Sequence, residues 1–139
     1  MKGAVPEVDK EISYKTLKKI TAGNREKLFL SIHDLSEGGL AVALSEMTFS
    51  NKIGCEIDIS SINKNLREDI LLFSESNSRF LVEVEEKNLK AVEKLLKDIP
   101  HYKIGKTKGD SLVVKNRDKT LINIKLDEIL RNWEGAVKW

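Results

Sequence analysis

Only one cysteine, Cys55, occurs in the 139 residues, so no internal disulfide can form and a reducing, cytoplasmic setting is expected. The two histidines, His33 and His101, stand far apart in sequence and with Cys55 make no zinc-type ligand set. Apolar runs such as Leu28–Ile32 fall far short of the ~20 residues a membrane helix needs. Met1–Pro6 leads into charged residues rather than the apolar core of a signal peptide. An excess of one charge is missing too: Lys+Arg number 24 against 22 Asp+Glu, for a formal charge of +2. The basic residues are interspersed with acids, as in Glu85–Glu86–Lys87, so the concentrated basic face of a nucleic-acid binder is lacking. Neither nucleic acid nor a membrane is therefore expected as a partner.

What is present is ordinary for a globular domain: 40% hydrophobic and 33% charged residues in a chain long enough to bury a core. Tyr14, Leu17 and Ile20 recur at helical spacing and predict a helix over 11–21, ended by Gly23–Asn24. Leu28–Ile32 reads as a strand buried on both sides, followed by an apolar helical stripe of Leu40, Ala43, Leu44 and Met47 running to Ser50. A strand over Cys55–Ile59 and a helix over Leu66–Phe73 come next. Phe80, Val82 and Val84 alternate with Leu81, Glu83 and Glu85, and Leu89, Val92, Leu96 and Ile99 mark a helix stopped by Pro100. Three strands then follow, Tyr102–Lys106, Ser111–Lys115 and Thr120–Leu126, joined by Lys108–Gly109–Asp110 and Asn116–Arg117–Asp118 turns. In the last of them Thr120, Ile122, Ile124 and Leu126 share one face, and a helix over Asp127–Trp133 closes the chain. The expected class is α+β, a two-layer domain with a mixed, mostly antiparallel sheet covered by helices.

Chemistry concentrates at the strand–turn–helix of residues 28–50. Gly38–Gly39 open a helix whose first N–H groups and dipole attract anions, and glycine lets a ligand approach the backbone. Asp34, just past the strand, is placed to meet a metal-bound nucleotide or a ligand hydroxyl, and Ser36 to offer a phosphate a hydroxyl donor. A structural reading stands beside this one. Asp34 and Glu37 have capping-box spacing, and the glycines equally serve tight strand–helix packing. His33 reads as a hydrogen-bonded structural residue, and His101 as a solvated turn residue.

Ile32-His33-Asp34-Leu35-Ser36-Glu37-Gly38-Gly39-Leu40-Ala41-Val42-Ala43-Leu44-Ser45-Glu46-Met47 closely resembles a segment in the last domain of the phosphoribosylformylglycinamidine synthase family. Gly3–Asp9 resembles the entry to that domain, Leu72–Phe80 its serine-glutamate-serine segment, and Gly109–Leu112 with Trp133–Ala136 its ending. The resemblance spans essentially the whole chain and implies one AIR synthase C-terminal-like domain over residues 1–139, the second of two pseudo-symmetric copies. It implies an ATP- and magnesium-dependent synthetase converting formylglycinamide ribonucleotide to its amidine in purine biosynthesis. In that reaction ATP activates the amide oxygen as an iminophosphate and ammonia displaces the phosphate.

By the same resemblance this domain carries no catalytic residue, scaffolds and closes the site, and binds no cofactor tightly alone. Its partners would be the N-terminal ATP-binding domains, a glutaminase subunit and a small bridging subunit. An acid at the position of Asp34 helps hold magnesium in the first copy, and Ser74, Glu75 and Ser76 match its substrate-contacting stretch. With Ser36, Gly38 and Gly39 these form the candidate ligand-binding set. Residues 34–39 and 76–79 depart from the active copy, which points to the half associated with a structural or auxiliary nucleotide. For Ser74–Arg79 the structural reading is a polar turn in which Arg79 pairs with a neighbouring acid. Trp133 and Trp139 fit either a surface facing a missing domain or core packing. The alternative function is a non-catalytic binding or interaction module using the same fold.

Overall fold

The computed structural model describes residues 7–49 and 52–135. Gly3–Pro6, Ser50, Ala136 and Trp139, used in the reading above, lie outside the described residues. Among those described, five α-helices and six strands, with short 3-10 turns at Ile59–Ser61 and Glu86–Asn88, follow in the order α1 (Lys10–Arg25), β1 (Ser31–Asp34), α2 (Gly39–Phe49), β2 (Cys55–Asp58), α3 (Glu68–Phe73), β3 (Phe80–Glu83), α4 (Leu89–Leu96), β4 (Gly105–Thr107), β5 (Ser111–Asn116), β6 (Lys119–Lys125) and α5 (Leu126–Gly135).

The α+β class with a mixed, mostly antiparallel arrangement holds, and the strands divide into two sheets. β1 and β3 pair antiparallel, with Asp34 opposite Phe80 and Ser31 opposite Glu83. The main sheet runs β4-β2-β5-β6; its central β2–β5 pair is parallel and both outer pairs are antiparallel.

Two apolar clusters fill the interior. The larger joins Leu40 and Leu44 of α2 and Leu71 and Leu72 of α3 to Ile57, Leu112 and Val114 of the main sheet. The smaller gathers Phe29, Val92, Leu96 and Ile99, with Ile20 of α1 packed against it. The β1–β3 ladder is the wall between them: Leu81 faces the larger cluster, while Ile32, Val82 and Val84 face the smaller. Period-two alternation in β3 therefore separates two cores rather than core from water.

Several boundaries differ from the sequence reading, each for a local reason. α1 runs through Gly23–Asn24 to Arg25, capped at its start by Asp9, whose side chain accepts from the Ile12 amide at 3.0 Å. Gly23 is a packing residue: a Cβ there would lie 2.5 Å from the Phe29 ring. The helix stops where Lys27 takes the left-handed conformation (φ 56°) and the Leu28 amide reaches back to the Gly23 carbonyl. Tyr14 and Leu17 are exposed, and of that predicted face Ile20 alone reaches the core. β1 begins at Ser31, because Leu28 and Phe29 serve the smaller cluster without strand pairing, and Leu30 faces water.

In β6 the register shifts between Val114 and Lys115, so Leu121 is an unpaired extra residue. That bulge turns Leu121 as well as Ile122 to the core and leaves Thr120 and Ile124 outside, breaking the predicted common face. Leu126, buried, starts α5 instead of ending β6. Trp133 is 57% exposed and rests against the Phe49 ring at 5.4 Å.

Candidate functional site

β1 delivers Asp34 to the end of the small sheet, and the Leu35 amide extends the ladder by one bond to the Arg79 carbonyl. The chain then turns through Ser36–Gly38, the Gly39 amide closing the turn on the Ser36 carbonyl at 3.1 Å. Gly38 and Gly39 both have positive φ, 74° and 61°, a conformation glycine adopts without strain. At Gly39 lack of a side chain is also a packing requirement. A Cβ would stand 2.7 Å from the Ser74 carbonyl oxygen and 2.9 Å from that of Leu72. The turn before α2 is thus seated on the C-terminal carbonyls of α3.

Hydrogen bonds lock the facing loop to it. The Gly38 amide donates to Glu75 Oε1 at 3.0 Å. Arg79 donates through Nη2 to the Ser74 carbonyl and through Nε to the Ser76 carbonyl, the latter at 3.2 Å. The guanidinium therefore clamps loop carbonyls instead of pairing with a neighbouring acid, and its burial lowers its pKa from the ordinary value.

The two candidate segments, forty residues apart in sequence, touch through Gly38 with Glu75 and Gly39 with Ser74, and Asp34, Ser36 and Ser76 flank those contacts in the chain. Asp34, Ser36, Glu75 and Ser76 are exposed, Gly38 and Ser74 half-buried, and Gly39 buried. The capping box does not form. α2 starts at Gly39, too far along for Asp34, and the carboxylate that meets the turn amides is that of Glu75. The Asp34 carboxylate, 63% exposed, lies 3.8 Å from His33 Nδ1. His33 is a bridging residue, with Nδ1 2.6 Å from the Asp34 carbonyl and Nε2 3.1 Å from Glu46 Oε2 on α2. His101 Nδ1 lies 2.9 Å from the Ile99 carbonyl, closing the turn after α4.

Two chemical consequences follow. The Gly38 amide, just before α2, is already taken by the Glu75 carboxylate, so a phosphate seeking that amide would have to displace it. Magnesium needs near-octahedral oxygen ligation. Asp34 offers one exposed carboxylate, and since magnesium is commonly held by one or two carboxylates with waters and substrate phosphates, the remaining ligands would have to come from outside this surface.

Sequence reasoning missed Arg79 as the clamp and the apolar rim beside the turn. Phe73 is 54% exposed and Val42 36%, with Ile70 close to them in exposure. The signal for the rim was available: Gly39–Leu44 has no polar position, so a helix with one face on the core still shows an apolar residue outward.

The family described as AIR synthase related protein, C-terminal domain, matches residues 1–115. Among similar proteins, phosphoribosylformylglycinamidine synthase subunit PurL of Alkaliphilus metalliredigens is 34% identical over 139 residues, covering 99% of this chain. The protein of the same description from Methanocaldococcus jannaschii is 39% identical over 135 residues, covering 96%. The chain spans only 18% of the length of either relative. Of solved structures, Thermotoga maritima PurL complexed with FGAR superimposes with a TM-score of 0.79 at 14% identity, over 90% of this chain and 22% of that one. The hydrogenase maturation protein HypE superimposes at 0.65 and 15% identity, over 78% of this chain and 40% of the other. At such identities these two likenesses concern the fold alone.

Proposed function

Because the chain belongs to the family of AIR synthase related C-terminal domains, we propose that it works as the last domain of a phosphoribosylformylglycinamidine synthase, covering the active centre without catalysing. The clasp between Gly38 and Glu75 carries this reading. It fuses the β1–α2 turn and the α3–β3 loop into one solid, open surface, rimmed by Phe73 and Val42, that another domain completes. A turn amide before α2 already taken by a carboxylate suits support better than phosphate transfer. Asp34, Ser36 and Ser76 remain exposed there to contact a ligand held mainly by that other domain.

In the complete enzyme ATP phosphorylates the amide oxygen of formylglycinamide ribonucleotide, and ammonia attacks the resulting carbon and expels phosphate. ATP and FGAR are the ligands named for Thermotoga PurL structures of this fold, which supports that substrate assignment. Magnesium, where used, takes most of its ligands from outside this domain, Asp34 contributing at most one side. The remaining partners of the complex are the N-terminal ATP-binding domains of the same synthetase and its glutaminase and bridging subunits. The same reading places the protein in the cytoplasm; among the described residues no helix is long and apolar enough to cross a membrane.

The test is an assay of ATP-dependent amidine formation with the purified 139-residue chain, alongside calorimetric titration of Mg-ADP. We expect neither turnover nor tight binding. Turnover, or tight Mg-ADP binding lost in Asp34→Ala, would make the domain a self-sufficient nucleotide site and overturn the supporting role.

A further inference from the structure

At the opposite end of α3 from Ser74, the segment after β2, the start of α3 and the β5–β6 turn surround a concavity of about 290 Å³. Its accessible apolar lining is Leu66, 45% exposed, together with the edge of Leu71, while Ile59 packs behind them with no exposed surface. Its polar wall includes Lys64, Arg117 and Asn63, and no carboxylate lines it.

The acids nearby already have partners. Asp58 Oδ1 accepts from the amides of Ser60 at 2.8 Å and Arg117 at 3.3 Å. Glu68 accepts from Asn116 Nδ2 at 3.0 Å and Lys119 Nζ at 2.7 Å. Neither the Lys64 ammonium nor the Arg117 guanidinium is in a hydrogen bond or an ion pair among the described residues, and Asp58 attracts Arg117 only from a longer distance. Asn63 Oδ1 accepts from the Asn65 amide at 3.0 Å, which leaves its NH2 group to donate elsewhere.

Two cations and one amide donor beside this apolar lining are complementary to a multiply charged oxyanion joined to a small uncharged body. The guanidinium fork and the ammonium together match a phosphate dianion better than a single carboxylate. A volume at the lower end of the usual ligand-pocket range limits the body to about the size of one sugar. Arg117 occupies a left-handed backbone position (φ 55°) that glycine or asparagine fills without strain, so nothing in the turn itself requires arginine there.

We propose that this concavity binds a small phosphate monoester, Lys64 and Arg117 gripping the phosphate while Leu66 and the edge of Leu71 carry the ester's less polar face. The proposal is independent of the role assigned to the Asp34–Ser76 surface, since none of those residues lines the concavity.

The experiment is an NMR titration of the 139-residue chain with ribose 5-phosphate, inorganic phosphate and ribose as separate probes. Ribose 5-phosphate should give saturable amide shifts confined to 59–66 and 116–118, with affinity about tenfold lower in Lys64→Ala and in Arg117→Asn. Asparagine suits the left-handed position, so Arg117→Asn preserves the turn, and an unchanged thermal midpoint verifies that. Ribose should not bind, and inorganic phosphate should bind more weakly than the ester. Absence of saturable shifts, shifts insensitive to both variants, or equal affinity for inorganic phosphate and the ester would each overturn the proposal.

Discussion

The two apolar clusters differ in more than size. In the larger, Ile59 and Val114 have no exposed surface, and residues from α2, α3, α5 and the main sheet interlock around them. In the smaller, four buried residues sit under α1 and α4, and α1 keeps Ile12, Tyr14 and Leu17 in solvent. The proposed site draws on both. Leu40, Leu44 and Leu72 root α2 and α3 in the larger cluster, whereas β1, which presents Asp34, has Ile32 on the smaller one. Stability and site geometry are therefore separable: one cluster supplies most of the first, and the seam between the two sets the second.

The largest expected effect tests that ranking. Ile59→Ala should cost about 2–5 kcal/mol, towards the upper end because the site is enclosed on every side. Ile99→Ala should fall at the lower end of that range, its cluster being smaller and nearer to water. Urea denaturation of both variants decides it, and equal losses would break the distinction between the clusters. Next comes the seam itself. Gly39→Ala adds a methyl against the Ser74 and Leu72 carbonyls at φ 61° and should cost more than about 2 kcal/mol. The same unfolding measurement checks it, and a near-neutral result would mean that the loops are not fixed against each other.

Glu75→Ala should be milder, about 0.5–1 kcal/mol, since it removes one charge-assisted bond at a solvent-exposed helix start. Its sharper signature is faster hydrogen exchange of the Gly38 amide with α4 amides unaffected. The smallest effect lies on the outer face of the main sheet, remote from both clusters. Hydrogen bonds from Lys108 and then Lys115 hold the Glu56 carboxyl at about 2, below its ordinary 4.5. A depressed carboxyl contributes stability that is complete above its unfolded value and is lost as pH falls through its folded one. Glu56 should thus add an acid-side decline between pH 4.5 and about 2, and Glu56→Gln should flatten it in a thermal-midpoint series. An unaltered slope would show these exposed pairs to be solvent-screened to nothing.

Number, type and order of the elements were legible because the strands and helices carry apolar periods or, in α2, an apolar run opened by the glycine pair. What periodicity does not encode is partnership. Phe80, Val82 and Val84 read as one buried face, but the opposite face also meets a core through Leu81, which only the tertiary arrangement decides. Gly23 looked like a helix stop because glycine serves both as terminator and as contact point, and here the Phe29 ring required the latter. The bulge at Leu121 left no mark in composition, since either of two adjacent apolar residues fits the core. Of the seven candidate residues, Asp34, Ser36, Gly38 and Gly39 were legible in the strand–turn–helix pattern and Ser74, Glu75 and Ser76 only through family resemblance, while the meeting of the two segments depends on contacts distant in sequence. The Arg79 clamp went unread for the same reason: its acceptors are backbone carbonyls, which every sequence has.

The parallel pairing of β2 with β5 bears on how the chain reaches this structure. It joins Cys55 to Leu112, with α3, β3, α4 and β4 all lying between. The neighbouring β5–β6 hairpin closes across a two-residue turn and can zip locally, while the central pair waits on closure of a long loop. By this topology the main sheet is expected to assemble from its β5–β6 edge inward, with the arrival of β2 as the slow step. Until then β5 presents an unpaired, valine-rich edge, which makes the half-built sheet the stage at which this domain is most exposed to aggregation.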